Sequence, residues 1–176
     1  MTRPDISFAV NKLCQYMHAR TDVHWKAIKW LLRYLASAIS YGLFVTHNPS
    51  CHIQYYTNSD WGDCNDDPRS INGDAIYLGC NLVSWDAKKQ PTVARLYIGS
   101  EYKSLENGMA EVFWIQSLLT ELDLSPSVPA ILWCDNIGAI YFTSNHIFHA
   151  RTKHIELDYH TIRKKVGSGQ LQAHCH

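Results

Sequence analysis

Hydrophobic positions divide the 176-residue chain into a helical start and a strand-rich remainder. Ile6, Ala9, Val10, Leu13 and Met17 recur every three or four residues, and Trp25, Ile28, Leu31, Leu32 and Leu35 do so behind a Thr21-Asp22 start signal. Both runs predict amphipathic helices. Tyr41 to Val45 reads as a short extended run, and the turn cluster His47-Asn48-Pro49-Ser50 places a boundary near residue 50. The period then changes to two, predicting strands at 52–57, 75–78 and 82–85, the last pair joined by a Gly79-Cys80-Asn81 turn. A long helix over 99–121 turns Tyr102, Leu105, Val112, Phe113 and Leu119 inward and stops before Ser125-Pro126. A buried strand at 130–134, a short helix at 136–143, a helix at about 153–166 and an extended piece at 170–175 complete a βββαβααβ order.

Composition narrows the class. With 46% hydrophobic and 18% charged residues the chain is globular, which excludes disorder, collagen and low complexity. Its net charge is zero but unevenly spread: 6 basic against 2 acidic residues in 1–52, 5 against 12 in 53–150, and 5 against 2 in 151–176. An acidic middle between basic flanks fits a carboxylate site beside surfaces for an anionic polymer. Cysteines at 14, 51, 64, 80, 134 and 175 form no CxxC pair and no zinc pattern. The start Met1-Thr2-Arg3-Pro4 opens no signal peptide, and Lys29 and Arg33 interrupt the most apolar stretch. The expectation is a protein of the cytosol or nucleus without membrane contact.

Three polar residues occupy related places. Asn58 ends the first strand, Glu101 opens the long helix and Asp135 ends the fourth strand. Strand ends and a helix start can converge, and oxygen donors so gathered would hold Mg²⁺ for phosphoryl chemistry.

Several ordered strings carry a resemblance. The runs Asn81 to Val93, Glu101-Tyr102-Lys103-Ser104-Leu105, Cys134-Asp135-Asn136 and His149 to His160 resemble the ribonuclease H domain of copia-type LTR retrotransposon Pol polyproteins. Thr2 to Ile6 and Leu31 to Leu35 resemble the C-terminal end of the reverse transcriptase in the same polyproteins. The resemblance implies a helical reverse transcriptase tail at 1–50 and a ribonuclease H-like domain at 51–176, an α/β fold with a mixed five-stranded sheet and flanking helices. It implies no polymerase activity, because that family's polymerase carboxylates lie upstream. The parent activity is Mg²⁺-dependent hydrolysis of RNA in an RNA–DNA hybrid, with the remainder of a Pol polyprotein as partner.

The chain departs from that pattern in its ligands. Where the family has Asp in a Tyr-Ser-Asp-Ala-Asp-Trp string this chain has Asn58, and Asp60 matches the second, non-ligand Asp. Glu101 and Asp135 match the second and third ligands, and the C-terminal helix that bears the fourth is missing from the sequence, which stops at His176. Asp158 sits on the preceding helix, and Leu96 to Ser100 replaces a polar run before Glu101. Asn58 contributes no charge, so the expectation is a weakened metal site and lost hydrolysis. Lys88, Lys89, Gln90, Arg151 and Lys153 are the candidate phosphate contacts, with Arg163, Lys164 and Lys165 behind them. Three decoys are set aside. The Asp63-to-Asp74 run has Pro68 where a calcium loop needs Gly, His174-Cys175-His176 is a frayed end, and His149, His154 and His160 read as surface or capping residues. The readings that compete are a residual nuclease, a non-catalytic nucleic-acid-binding module and a transposon remnant with neither role.

Overall fold

A computed structural model describes residues 3–47, 51–60, 68–93, 97–124, 126, 128–135 and 164–175. Its centre is one five-stranded mixed sheet, in the order β3-β2-β1-β4-β5. β1 (Ile53–Asp60) is rich in Ile, Tyr and Thr, residues that fit a pleated, half-buried surface. It pairs antiparallel with β2 (Ile71–Leu78), from Ile53↔Leu78 to Asp60↔Ile71. A two-residue turn leads into β3 (Asn81–Lys89), and Gly79 supplies the φ of +61° that so tight a hairpin requires. β4 (Ala130–Cys134) then lies parallel to β1, with Gln54↔Ile131 through Thr57↔Cys134 in register, and β5 (Leu171–Cys175) lies parallel to β4. Parallel neighbours need a long crossover, and α3 (Tyr97–Glu121) lies in the connection that returns the chain to β4. The strands run longer than expected at 53–60, 71–78 and 81–89, while 130–134 falls as expected.

α3 covers one face of the sheet. Leu105, Val112 and Leu119 are buried as the helical period predicts, Met109 and Ile115 join them, and Phe113 packs at the margin. They meet Ile53, Tyr55, Ile76, Ala130 and Leu132 from the strands and Leu171 from β5. Helix and sheet approach closely at Gly108, where an added Cβ would stand 1.9 Å from Tyr55 Cζ. Any other residue there would displace a fully buried ring.

A 3-10 turn at Pro4–Ile6 precedes α1 (Ser7–Cys14) and α2 (Asp22–Ser37). α2 begins with a capping box, in which Thr21 Oγ1 accepts from the His24 N–H and His24 Nδ1 accepts from the Thr21 N–H. Arg3 ties the segment together by pairing with Asp5 at 2.8 Å and donating to the Ala38 carbonyl, while the Tyr34 hydroxyl donates to Asp5. Arg3 and Tyr34 hold the Asp5 carboxyl well below the usual carboxylate range. α1 rests against β3, and Lys89 Nζ donates to Gln15 Oε1 just beyond the helix. The first helix stops at Cys14, short of Met17, and Tyr41 to Val45 is irregular backbone with no strand partner. That stretch is followed by Thr46, whose N–H and hydroxyl both donate to Asn81 Oδ1. The expected helix at 136–143 and most of that at 153–166 lie outside the described residues, which retain a helical turn at 164–167. No helix among the described residues is long and apolar enough to cross a membrane.

Candidate functional site

Alternation along β1 decides which groups meet. Ile53, Tyr55, Thr57 and Ser59 are buried, and the hydroxyls of Tyr55 and Thr57 reach Ser104 of α3 at 3.0 and 2.6 Å, so this set faces the helix. Tyr56, Asn58 and Asp60 therefore occupy the opposite face. Glu101, on the second turn of α3, belongs to the helix side. It is fully buried, and its Oε1 accepts the Ser59 N–H at 3.1 Å. At the end of β4, Cys134 is buried and Asp135 is exposed. One ligand atom from each of Glu101, Cys134 and Asp135 lies within 4.8 Å of the others. The structure thus brings Glu101 and Asp135 together, with the Cys134 thiol beside them.

Asp135 also shares a cleft with Asn58. Both line a cleft of about 480 Å³ between Pro4, Ser7 and Phe8 of the N-terminal segment and the sheet face opposite α3, where Tyr56, Trp85 and Trp133 form the wall. Aromatic surface dominates it.

Two polar networks inside the helix face were invisible in the sequence. Gln90 is buried; its Nε2 donates to Asn72 Oδ1 at 2.7 Å and to the Ser100 carbonyl at 2.8 Å, and the Ser59 hydroxyl donates to the same Asn72 oxygen. These bonds tie β1, β2 and the end of β3 to the turn of α3 that carries Glu101. Gln90 is therefore buried in the interior, whereas the sequence placed it with the phosphate contacts of the surface. Further along, the hydroxyls of Tyr55, Thr57 and Ser104 converge on Asp74 Oδ1 at 2.6, 2.8 and 3.4 Å. Burial raises the Asp74 pKa against those three hydrogen bonds, and burial followed by the Asp74 charge pushes the Tyr55 phenol up. Asp74 thus points into the interior. Asn72, Asp74 and Gln90 all lie outside the strands expected from the sequence, so neither network carried a signal there.

Lys88 and Lys89 diverge. Lys88 is largely exposed and pairs with Asp86 at 2.8 Å, a hydrogen bond that raises its pKa, whereas Lys89 reaches Gln15. Arg151 and Lys153 lie outside the described residues.

No family model matches the chain. A retrovirus-related Pol polyprotein from transposon RE2 of Arabidopsis thaliana is 48% identical over 171 residues, and that from transposon RE1 is 46% identical over the same length. The chain belongs to the copia-type retrotransposon Pol family. The match takes in 97% of this chain and 12% of each polyprotein, so the chain is comparable to a small part of those relatives. Among solved structures, LC11 ribonuclease H1 isolated from compost matches with a TM-score of 0.52 at 12% identity, over 72% of this chain and 84% of that one. A foamy viral protease-reverse transcriptase solved with double-stranded DNA matches with a TM-score of 0.56 at 10% identity, over 98% of this chain and 29% of that one. The sheet is of the ribonuclease H type, and the expected mixed five-stranded architecture holds.

The clustered donors of this copia-type Pol segment differ from the four carboxylates that the resemblance implies for Mg²⁺. Mg²⁺ takes oxygen ligands in near-octahedral geometry and is held chiefly by carboxylates. Here two carboxylates converge with a thiol, and Asn58, at the position where the resemblance implies a carboxylate, is a neutral amide. Thiols are poor Mg²⁺ ligands.

Proposed function

We propose that this Pol segment is a ribonuclease H-like module that binds nucleic acid through its phosphates and has lost Mg²⁺-dependent hydrolysis of RNA–DNA hybrids. The observation that carries the reading is Asn58: it is neutral and exposed where the resemblance implies a carboxylate. Losing a ligand carboxylate should cost more than the roughly 10- to 100-fold that follows from disturbing an outer-shell partner. Binding is supported by the basic flanks of the chain, by the exposed Lys88, and by the double-stranded DNA in the foamy viral protein of like fold. An RNA–DNA hybrid would be sorted from other duplexes by groove shape and the 2′-hydroxyl. The remainder of a Pol polyprotein is the proposed covalent partner, as in the RE1 and RE2 relatives.

The test pairs a cleavage assay with a titration. Purified protein incubated with a hybrid in Mg²⁺ should give no products above background, yet should retard the same hybrid at low salt. Efficient cleavage that vanishes in Glu101→Gln would overturn the loss of hydrolysis, and absence of retardation at low salt would overturn the binding.

A further inference from the structure

A groove of about 540 Å³ runs between α3 and the β2–β3 hairpin. Its carboxylates come from three elements: Asp74 of β2, Asp86 directly across the ladder on β3, and Glu111 of α3, whose Oε1 accepts from the Ser84 hydroxyl at 3.2 Å. Hydroxyls occupy Asp74 Oδ1, but Asp74 Oδ2 and Glu111 Oε2 accept no hydrogen bond among the described residues, and no described cation forms an ion pair with either residue. Lys88 answers Asp86 from the surface, and Lys89 turns to Gln15. Gln90 adds an independent sign of a missing donor. It lines the same groove at 2% exposure, and its Nε2 is fixed by the Ser100 carbonyl, which can only accept. Its Oε1 is left without a partner among the described residues, a rare state for a buried acceptor. We propose that this groove binds a linear polyamine, with ammonium groups on Glu111, Asp86 and Asp74 and the Gln90 carbonyl as a neutral acceptor. The proposal goes beyond the nucleic-acid reading and does not rest on it.

The spacing selects the ligand. A metal ion gathers its donor atoms into one coordination sphere, and the described residues that gather so closely are Glu101, Cys134 and Asp135, not the carboxylates of the groove. Glu111 meets β3 at Ser84 and Asp86 lies two residues further on, so the two positions are roughly 7 Å apart along the strand. Ammonium groups joined by short methylene links bridge such a gap, and a single ammonium does not. Asp74 and Asp86 are like charges facing each other across the ladder, and burial followed by that repulsion raises the Asp74 pKa. A cation placed between them reverses both effects. Each ammonium is a donor only, which matches a groove whose open positions are all acceptors.

Spermidine, a triamine, is the probe. Calorimetric titration of the full chain, without nucleic acid and at fixed low ionic strength, should show saturable binding of one spermidine per chain. Butylammonium, which carries a single charge on the same kind of chain, should bind at least about tenfold more weakly, because only one charge-assisted contact is available to it. Glu111→Gln, at an exposed position, should weaken spermidine about two- to fivefold, the worth of one part-exposed ion pair. Combining it with Asp86→Asn should weaken spermidine at least about tenfold, with the circular dichroism spectrum unchanged. Glu121→Gln removes the same charge from an exposed position at the end of the same helix and should leave the affinity as it is. In a ¹⁵N-labelled sample the Gln90 side-chain amide should shift at saturation. Absence of saturable binding, butylammonium binding as tightly as spermidine, undiminished affinity in the folded double variant, an equal loss in Glu121→Gln, or an unmoved Gln90 amide would each overturn the assignment and leave the hybrid-binding reading untouched.

Discussion

Asp74 places a carboxylate at the drier side of the sheet, and three hydroxyls meet it there. Two influences oppose each other: the hydrogen bonds favour the charged form, burial disfavours it, and burial wins. Asp86, directly across the β2–β3 ladder, adds like-charge repulsion in the same direction. A carboxyl whose pKa rises on folding above the ordinary 3.8 holds more protons folded than unfolded in the window just above that value, so its contribution to stability declines as pH rises through the window. Asp74→Asn removes the titrating group and keeps a polar side chain for hydroxyls able to donate or accept. The variant should be at least as stable as wild type near neutral pH, and its advantage should grow as pH rises from about 4 and then level off. Urea unfolding across that range measures it. An advantage that grew toward acid would contradict the assignment. The sequence marked this residue only as the end of a discarded calcium-loop run, because the neighbours that desolvate it come from β1 and α3, far away along the chain.

At the scale of elements, α3 is both the lid of the core and the carrier of Glu101. Met109 is 2% exposed and Trp114 is 60% exposed, although both are large apolar residues of the same helix. Met109→Ala should cost about 2 to 5 kcal/mol, as buried large-to-small changes do. Trp114→Ala should stay within roughly 0.5 kcal/mol. Denaturant midpoints of the two variants check the orientation of the helix, and equal losses would mean that α3 is rotated. This helix was legible in the sequence because its 3.6-residue period is long and sustained. β1 was legible as a strand, but its facing was not. Tyr55 and Tyr56 are adjacent aromatics, so apolar residues fall on both faces and the pattern cannot say which face meets the helix. The alternation places Asn58 on the face away from α3, at the end of the strand whose Ser59 N–H meets Glu101. Gln90 was read as surface for a related reason: it follows two lysines, and only the fold shows that the chain turns inward there.

For the whole molecule, the separation of charge predicts how binding responds to salt. Each phosphate neutralised on B-form DNA contributes about 0.9 to the slope of log affinity against log salt. Among the described residues Lys88 pairs with a part-exposed carboxylate, Asp86, which a phosphate can displace, while Lys89 is drawn toward Gln15. Lys88→Ala should therefore lower the slope by about 0.9, and Lys89→Ala should lower it less. Titrations of a hybrid at several salt concentrations with each variant distinguish the two, and identical slopes in wild type and Lys88→Ala would remove that lysine from the contact surface.

The order of strands in the sheet also imposes an order in time. β4 lies between β1 and β5, yet β5 follows it in the chain by more than a full helix's worth of sequence, from Cys134 to Leu171. While the chain is being synthesised, β1, β2, β3 and α3 can assemble and receive β4 before the residues of β5 exist. During that interval the outer edge of β4, carrying Ile131, Leu132 and Trp133, presents unsatisfied backbone groups beside apolar side chains, the kind of edge that recruits strands from other chains. Docking of β5 pairs that edge and moves the outer edge of the sheet to a strand whose Gln172 and His174 are polar and exposed. An apolar edge is thereby exchanged for a more polar one, and the nascent chain is more open to misassembly before β5 is made than after it docks.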